Sequence, residues 1–361
     1  MDIKQQVRKL SPYKPGKTSD EVKREFGLTE IIKLASNENP FGCSEKVTEG
    51  IRSGEFNFAL YPDGAGSILR TALVDHYGLQ PEQFILGNGS DEVIQIISRA
   101  LLEPGKNTVM PAPSFPQYKH NAVVEGAEVR EIPLVNGAHD LDAMAEAVDS
   151  QTAVVWVCSP NNPTGVLAET GKLKAFLDKI PEKVLVVLDE AYHEYVTDED
   201  YYNGIQLAAE YPNLIVTRTF SKAYGLAGFR VGYGISSPSV IQALEPVREP
   251  FNTSTLAQFA AAKALSDQDF IEKCKLENTK GLRQFEDFCQ AFGLSYYPSQ
   301  GNFILIDFKR DADELFNILL QNGLIVRSGN ALGFPTSLRI TVGSEEQNSK
   351  IISVLTETIN S

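Results

Sequence analysis

Short apolar runs alternate with helical patterns through the middle of the chain, between about Phe84 and Gly234. The runs are "FIL", "TVM", "AVVWV", "VLVVL", "LIVTRT" and "RVGYGI", and they are apolar almost throughout. Strands that are covered on both faces have this composition. Segments such as "ETGKLKAFLDKI" between the runs have the spacing of amphipathic helices. The pattern therefore predicts an α/β domain with a mainly parallel sheet.

The pattern changes after "EPVREPFN". A long helical stretch is predicted from about Ser254 to Phe292, followed by the strand "FILIDF", a helix, and the strands "LIVRSG" and "LRITVG". This mixture is typical of a smaller α+β domain. We therefore expect an N-terminal arm with the start of the small domain at residues 1–40, a large domain at 41–250 and a small C-terminal domain at 251–361.

Composition and charge disfavour several classes of function. With 361 residues, 42% of them hydrophobic, the chain can bury a sizeable core. Its formal net charge of −14 disfavours general attraction to nucleic acid or anionic lipid, so local groups must hold any anionic ligand. Neither the four cysteines nor the four histidines have metal-ligand spacing, and no apolar run has the length of a membrane span. We expect a cytoplasmic protein with reduced thiols, without a metal and without nucleic-acid or membrane partners.

Polar groups follow two of the predicted strands. "FILGNGSDEVIQIISRAL" has the pattern of a strand, a Gly-rich turn and a helix, with Ser90 as the predicted N-cap. A helix N-terminus with free N–H groups and a hydroxyl can hold a phosphate, although most such turns are only caps. In "VLVVLDEAY", Asp189 ends an apolar run at the edge where α/β proteins bind ligands, and Tyr192 follows three residues later. Taken alone, Asp189 is equally well interpreted as a helix cap.

A lysine, Lys222, lies among hydroxyls and small residues in "TRTFSKAYGLAGFRVGYG", with Arg230 eight positions later. Lysines usually avoid such places, because the ammonium loses water that small neighbours do not replace. An amine there can condense with the aldehyde of a pyridine cofactor, whose ring is an electron sink if a carboxylate such as Asp189 keeps its nitrogen protonated. Ser90, Ser221 and Arg230 could hold a phosphate on the same cofactor.

The motifs "SPNNPTG", "LDEAY" and "TFSKAYGLAGFRVGYG" together resemble the fold-type I pyridoxal-phosphate-dependent aminotransferases. In register, Asn161 is followed by Asp189 28 residues later, Lys222 33 later and Arg230 8 later. The resemblance extends over nearly the whole chain, from "KLASNENPFG" to "LRITVG". It implies a large domain with a mainly parallel seven-stranded sheet flanked by helices, and a smaller α+β domain at the C-terminus.

The resemblance also implies roles for single residues. Lys222 would bind pyridoxal phosphate covalently and move protons as the catalytic base and acid. Asp189 would pair with the pyridinium nitrogen, and Tyr192 and Asn161 would hydrogen-bond the phenolic oxygen. Phe115 in "PSFPQY" would stack on the cofactor ring. The cofactor phosphate would lie in a cup formed by Gly89, Ser90, Asp91, Thr219, Ser221 and Arg230.

A second subunit is implied as well. Tyr61 in "YPDG" resembles the tyrosine that reaches the cofactor phosphate from the neighbouring chain of the dimer. We therefore expect a homodimer with shared active sites, and small molecules as its other partners.

Shorter motifs, among them "SNENPFG", "YPDG" and "SQGNFILI", resemble the branch of the family that acts on L-histidinol phosphate in histidine biosynthesis. The branch implies transfer of the amino group to 2-oxoglutarate. Its substrate has no carboxylate, so Arg327 and Arg339 would bind the phosphate and, in the other half-reaction, the carboxylates of glutamate. Tyr13 and Asn37 would complete the substrate pocket. Without the resemblance, either arginine could be a surface residue on an edge strand.

Three alternatives stay open at this point. An aromatic amino-acid aminotransferase would share every cofactor motif, and a pyridoxal-phosphate-dependent lyase or decarboxylase would share the scaffold. A regulatory protein that only binds the cofactor would usually have an added DNA-binding segment or lack the lysine, and the sequence shows neither. The stretch "REPFNTSTLAQ" departs from the asparagine- and valine-rich form common in the family, which leaves the detail of the substrate pocket open.

Overall fold

The computed structural model describes residues 2–10 and 17–360 of the chain. These residues form thirteen strands and thirteen α-helices, together with short 3₁₀ helices. The strands are β1 (Ile32–Lys33), β2 (Phe84–Gly87), β3 (Asn107–Ala112), β4 (Glu128–Pro133), β5 (Thr152–Cys158), β6 (Leu185–Asp189), β7 (Leu214–Thr219), β8 (Gly232–Ile235), β9 (Ser295–Tyr296), β10 (Phe303–Asp307), β11 (Leu324–Ile325), β12 (Arg327–Ser328) and β13 (Ser337–Thr341). The helices are α1 (Ser19–Phe26), α2 (Glu45–Ser53), α3 (Ser67–Tyr77), α4 (Gly89–Leu101), α5 (Pro116–Glu125), α6 (Leu141–Glu146), α7 (Thr170–Leu177), α8 (Gly204–Glu210), α9 (Pro238–Leu244), α10 (Thr255–Leu265), α11 (Gln268–Phe292), α12 (Ala312–Gln321) and α13 (Glu345–Asn360).

Seven strands form the central sheet, in the order β2-β8-β7-β6-β5-β3-β4. The pairs from β7 through β4 are parallel, and β8 runs antiparallel to both of its neighbours. Each of the six apolar runs contributes one strand, so the predicted α/β fold with a mainly parallel sheet is confirmed. The carboxyl ends of β5, β6 and β7 therefore lie side by side at one edge.

The seventh strand, β4, was not predicted from the apolar runs. Its sequence "EVREIP" alternates charged and apolar residues, and its side chains are half-buried or exposed. It lies at the edge of the sheet, and among the described residues it pairs only with β3. An edge strand whose side chains are partly exposed to solvent does not require a continuous apolar run.

Helices cover both faces of the sheet. Successive residues of a strand point to opposite faces, and in β5 the side chains of Val154, Trp156 and Cys158 pack in one core cluster with residues of α4 and α5. Val155 and Val157 pack in another cluster, with residues of α6, α7 and α8. Burial on both faces is the physical reason for the apolar composition of the central strands.

The predicted long helical stretch between Ser254 and Phe292 is confirmed, and it consists of two helices. α10 ends at Leu265 and α11 begins at Gln268. Between them, the Asp267 carboxylate accepts a hydrogen bond from the Ser44 hydroxyl and lies 3.7 Å from the Lys46 ammonium. These contacts hold the junction against α2, and no periodicity in the sequence indicates them.

Two small sheets involve the C-terminal part of the chain. One is antiparallel, in the order β12-β13-β10-β9, and the other is the parallel pair of β1 with β11. The pairing of β1 joins a segment from the start of the chain to the C-terminal part. The domain bounds at residues 40 and 250 stay a prediction.

Candidate functional site

A cavity of about 560 Å³ lies at the carboxyl ends of the central strands. Cys158, Asp189 and Thr219, the last residues of β5, β6 and β7, line it. Ligands of doubly wound α/β proteins bind in this place. The cavity is lined by most of the residues predicted for the site, namely Asn37, Gly89, Ser90, Asp91, Phe115, Asp189, Tyr192, Thr219, Ser221, Lys222, Arg230, Arg327 and Arg339.

Three predicted site residues are not among those that line the cavity. Tyr13 lies outside the described residues. Tyr61 is 82% exposed and stacks on Phe251, with ring centroids 4.9 Å apart. Asn161 is fully buried beside the cavity.

The structure places Asn162, and not the predicted Asn161, on the lining of the cavity. The Asn161 side chain accepts a hydrogen bond from the Ser114 hydroxyl at 2.7 Å and donates one to the Thr164 hydroxyl at 3.0 Å. Asn162 lines the cavity instead, and its Nδ2 donates to the Tyr192 hydroxyl at 3.2 Å. The path of the backbone decides which of two identical neighbours in a turn faces the cavity. The sequence alone therefore does not distinguish them.

Lys222 follows β7, and its amine lies inside the cavity. The Nζ donates a hydrogen bond to the Ser36 carbonyl at 3.1 Å and lies 5.7 Å from the centre of the Tyr192 ring. Loss of water lowers the pKa of the Lys222 ammonium to about 8, and the positive charge of Arg339 adds to this effect. About a tenth of the amine is therefore unprotonated at pH 7, far more than for an ordinary lysine, and this suits a nucleophile or a general base.

Trace labelling with acetic anhydride is expected to show this lowered pKa in the protein without added ligand. Only the unprotonated amine reacts, so the reactivity of Lys222 should be half-maximal near pH 8, whereas an ordinary lysine reaches this point near pH ~10.4. The Arg339→Met substitution removes a neighbouring positive charge and should move the midpoint to higher pH. Mass spectrometry of the labelled peptides gives both midpoints, and a Lys222 midpoint at the ordinary value would contradict the assignment.

Asp189 is buried at the end of β6. Its Oδ2 accepts a hydrogen bond from the Tyr118 hydroxyl at 2.6 Å, whereas its buried Oδ1 has no hydrogen-bond partner within the described residues. Burial raises the pKa of the Asp189 carboxyl to about 6, and the bond from Tyr118 opposes the rise. A buried carboxylate oxygen without a donor is costly and indicates a ligand with an N–H or O–H group at this point.

The hydroxyl of Tyr192 is held by two amides. Asn37 Nδ2 donates to it at 3.0 Å and Asn162 Nδ2 at 3.2 Å. The orientation of Asn162 is fixed, because its Oδ1 accepts a hydrogen bond from an Arg339 nitrogen at 2.7 Å. Burial raises the pKa of Tyr192, so the phenol keeps its proton. Since both amides donate, this proton is free to be donated to a ligand in the cavity.

The first turn of α4 forms an anion cup with the residues after β7. The helix begins at Gly89, and the side chain of its N-cap residue, Asn88, makes no capping hydrogen bond within the described part of the chain. The prediction of Ser90 as the N-cap is therefore wrong, because Ser90 lies inside the first turn. Gly89 has a φ of +74°, and a Cβ there would lie 3.1 Å from a guanidinium nitrogen of Arg230. Uncapped N–H groups at a positive helix end are suited to a phosphate.

Arg230 completes this cup. One guanidinium nitrogen lies 3.3 Å from the Ser221 hydroxyl and the other 3.1 Å from the Asp91 carboxylate. Both charged side chains are about half exposed, and such pairs contribute little to stability. A bound phosphate can therefore displace the Asp91 carboxylate at small cost.

Arg327 and Arg339 are cross-strand neighbours. They are paired in register in the antiparallel ladder of β12 with β13, so their side chains leave the same face of the sheet. Arg339 is 7% exposed and donates a hydrogen bond to the Ala35 carbonyl at 2.7 Å. Both residues line the cavity, and two guanidinium groups at one place are suited to a phosphate or a carboxylate.

Comparisons with known proteins establish the family. The chain belongs to the aminotransferase class I and II family, whose model matches residues 29–355. It is 61% identical to the histidinol-phosphate aminotransferase of Bacillus licheniformis, over 98% of this chain and 99% of that one. It is 60% identical to the histidinol-phosphate aminotransferase of Bacillus subtilis strain 168, over 99% of both chains. The crystal structure of histidinol-phosphate aminotransferase from Sinorhizobium meliloti in complex with pyridoxal-5'-phosphate is similar with a TM-score of 0.90 at 28% identity, covering 99% of this chain and 97% of that chain. The family predicted from the sequence is thus confirmed.

Proposed function

We propose that the protein is a histidinol-phosphate aminotransferase that uses pyridoxal phosphate and transfers the amino group of L-histidinol phosphate to 2-oxoglutarate. The products are 3-(imidazol-4-yl)-2-oxopropyl phosphate and L-glutamate. The observation that carries the proposal is the cavity that joins Lys222, Asp189, the anion cup and two arginines. Relatives of that name, about 60% identical over the full length, support the substrate.

The described residues fit the cofactor at both ends of its ring. The unpartnered Oδ1 of Asp189 can accept a hydrogen bond from the ring nitrogen, and the uncapped turn at Gly89 can hold the phosphate. Tyr192 and Asn162 would face the phenolic oxygen, and Phe115 would cover the ring. When bound, pyridoxal phosphate supplies an aldehyde carbon that takes the amino group and a ring that accepts electrons.

Lys222 is the residue that moves the proton. The pKa of its amine, about 8, lies close to working pH, so it can accept a proton from the substrate carbon and return it to the cofactor carbon. Tyr192 holds the phenolic oxygen by donating its own proton. Asp189 would stabilise positive charge on the ring nitrogen of the bound cofactor, which would strengthen the ring as an electron acceptor.

Arg327 and Arg339 are proposed to bind the anionic end of both amino donors. Phosphate on histidinol phosphate and carboxylate on glutamate both accept paired hydrogen bonds from guanidinium groups. Arg339 is held in place by Asn162 and by the Ala35 carbonyl before substrate binds. Pre-positioned donors lose little side-chain entropy on binding.

The substrate is tested by comparing donors with the purified protein. We expect kcat/KM for histidinol phosphate to exceed that for phenylalanine, and that for histidinol without phosphate, by ~10²-fold or more, since each hydrogen bond from a charged group contributes about 1.5–3 kcal/mol. Arg327→Met should reduce this preference. A preference for phenylalanine would instead favour an aromatic amino-acid aminotransferase, and release of carbon dioxide from phenylalanine without formation of glutamate would favour a decarboxylase.

A homodimer is proposed from the surface beside the anion cup. Phe58, Leu60 and Tyr61 are 74%, 67% and 82% exposed, and Tyr61 stacks on the half-exposed ring of Phe251. The carbonyl of Asn252, next to Phe251, accepts a hydrogen bond from the side chain of Asn88, the residue that precedes the cup. Several exposed apolar side chains in one stretch of the surface are typical of an interface between chains.

Sedimentation equilibrium is expected to give the mass of two chains. Leu60→Asp places a charge in the patch and should give monomers with at least ~10-fold lower activity, because a buried unpaired charge is costly. Leu276 is 61% exposed on α11, away from the patch, so Leu276→Asp is the matched control and should stay dimeric. A dimeric L60D protein would contradict the assignment of this surface.

Two remaining expectations are not tested by the structure. None of the helices within residues 2–10 and 17–360 has both the length and the apolar character of a membrane span. The cytoplasmic location stays a prediction, as do the domain bounds.

A further inference from the structure

Tyr118 is buried completely, and its hydroxyl donates a hydrogen bond to the carboxylate of Asp189. The two residues lie 71 positions apart in the chain, on α5 and β6, and the hydroxyl donates to Oδ2 at 2.6 Å. Tyr118 does not line the cavity, so it does not touch a ligand there. Burial raises the pKa of Tyr118 far above its usual value, and the hydroxyl therefore stays a donor.

The ring of Tyr118 is held on two sides. It stacks on Trp156, with centroids 4.8 Å apart and planes inclined by 13°, and its edge packs against Phe115 at 5.6 Å. Trp156 is held in turn, because its Nε1 donates to the Thr108 hydroxyl at 2.8 Å. A side chain locked in this way places its hydroxyl with little freedom.

This bond determines the direction of the other carboxylate oxygen. A carboxylate is planar about its carbon, so a hydrogen bond that holds one oxygen relative to Cβ and Cγ also sets the position of the other oxygen. In Asp189 the other oxygen, Oδ1, is the buried atom without a partner in the described chain. Without the phenol, the carboxylate could rotate and lose its alignment with a ligand.

We propose that Tyr118 is a positioning residue for the cofactor, holding the Asp189 carboxylate so that Oδ1 is directed at the ring nitrogen. The inference rests on the proposed function, because it requires pyridoxal phosphate as the ligand. It predicts that Tyr118 matters only for cofactors that carry a ring nitrogen. A merely structural tyrosine would affect every cofactor analogue equally.

The experiment compares two cofactors on the apoprotein. Pyridoxal phosphate and 1-deazapyridoxal phosphate differ only in the ring nitrogen, and both have the aldehyde and the phosphate. Tyr118→Phe removes the hydroxyl and keeps the ring that stacks on Trp156. We expect the Kd for pyridoxal phosphate to rise ~10-fold or more, and the Kd for the deaza analogue to change less than ~3-fold, since a hydrogen bond to a charged group is removed. Fluorescence titration measures both constants.

Tyr202→Phe is the matched control. Tyr202 is also buried, and its hydroxyl lies 3.5 Å from the Ser159 carbonyl, without contact to Asp189. The ratio of the two dissociation constants should be as in the wild type. If Y118F does not fold, Tyr118→Met fills the site with a flexible side chain without a donor. The same rise is then expected in the Kd for pyridoxal phosphate relative to the Kd for the deaza analogue.

The outcomes separate this inference from the proposed function. A Y118F or Y118M protein whose ratio equals that of the wild type, or one that loses affinity for both cofactors equally, would overturn the positioning role. A wild-type protein that does not bind pyridoxal phosphate at Lys222 would instead overturn the proposed function.

Discussion

The Lys222→Ala variant is expected to lose transamination almost completely, with kcat lowered by ~10⁴-fold or more, because general acid–base catalysis alone contributes up to ~10⁴-fold. In the proposed mechanism the amine at this position, with a pKa of about 8, both accepts the proton and returns it. Under the proposed function its loss would also remove the covalent attachment of the cofactor, and borohydride should no longer fix a pyridoxyl group at position 222. The half-reactions can be followed by absorbance of the cofactor.

The control for this variant is a lysine outside the cavity. Lys350 pairs with Glu346 at 3.5 Å on the surface, and its side chain is 49% exposed. Lys350→Ala should retain wild-type activity, because an exposed pair contributes little. Added methylamine should restore part of the activity of K222A, since it supplies an amine to the space that the lysine side chain vacated. Loss of an acid–base group lowers the rate by at least ~10²-fold. Activity of K222A above roughly one tenth of the wild-type value would therefore refute the role of Lys222.

Asp189→Asn is expected to lower kcat by ~10³-fold, because a carboxylate about 4 Å from a cation contributes on the order of 4 kcal/mol at an effective dielectric constant near 20. The amide has nearly the same shape but no charge, so it cannot keep the ring nitrogen protonated. Cofactor should still bind through Lys222 and the anion cup, so the loss should fall on kcat more than on occupancy. Single-turnover kinetics with a saturating amino donor measures this effect.

An exposed aspartate provides the comparison. Asp287 lies on the exposed side of α11, and Asp287→Asn removes the same charge without touching the cavity. It should be as active as the wild type. If D189N loses less than ~10-fold, the Coulomb argument for the ring nitrogen fails, since that loss corresponds to about 1.4 kcal/mol.

Sequence alone was sufficient for the main chemistry of the site because of where the motifs lie. Asp189, Thr219 and Lys222 each end or follow an apolar strand. Carboxyl ends of parallel strands meet at one edge, so residues far apart in the chain are brought together once the strands are recognised. The charge and small-residue context of Lys222 could also be read locally. These features of the site depend on which segments are buried and on the order of the motifs. Burial leaves a hydrophobic pattern in the sequence, and the order can be read from it directly.

Other parts were decided only by the tertiary structure. Asn161 and Asn162 are identical neighbours, and the turn alone determines that Asn162 faces the cavity. The register of β12 against β13 places Arg327 opposite Arg339, and the packing of α5 brings Tyr118 to Asp189. A sequence pattern reports how much of a segment is buried, but contacts between distant side chains depend on the relative placement of whole elements. For this reason the sequence determined the fold class and singled out Lys222 as the candidate reactive lysine, whereas the hydrogen-bond partners that orient the candidate groups emerged only from packing.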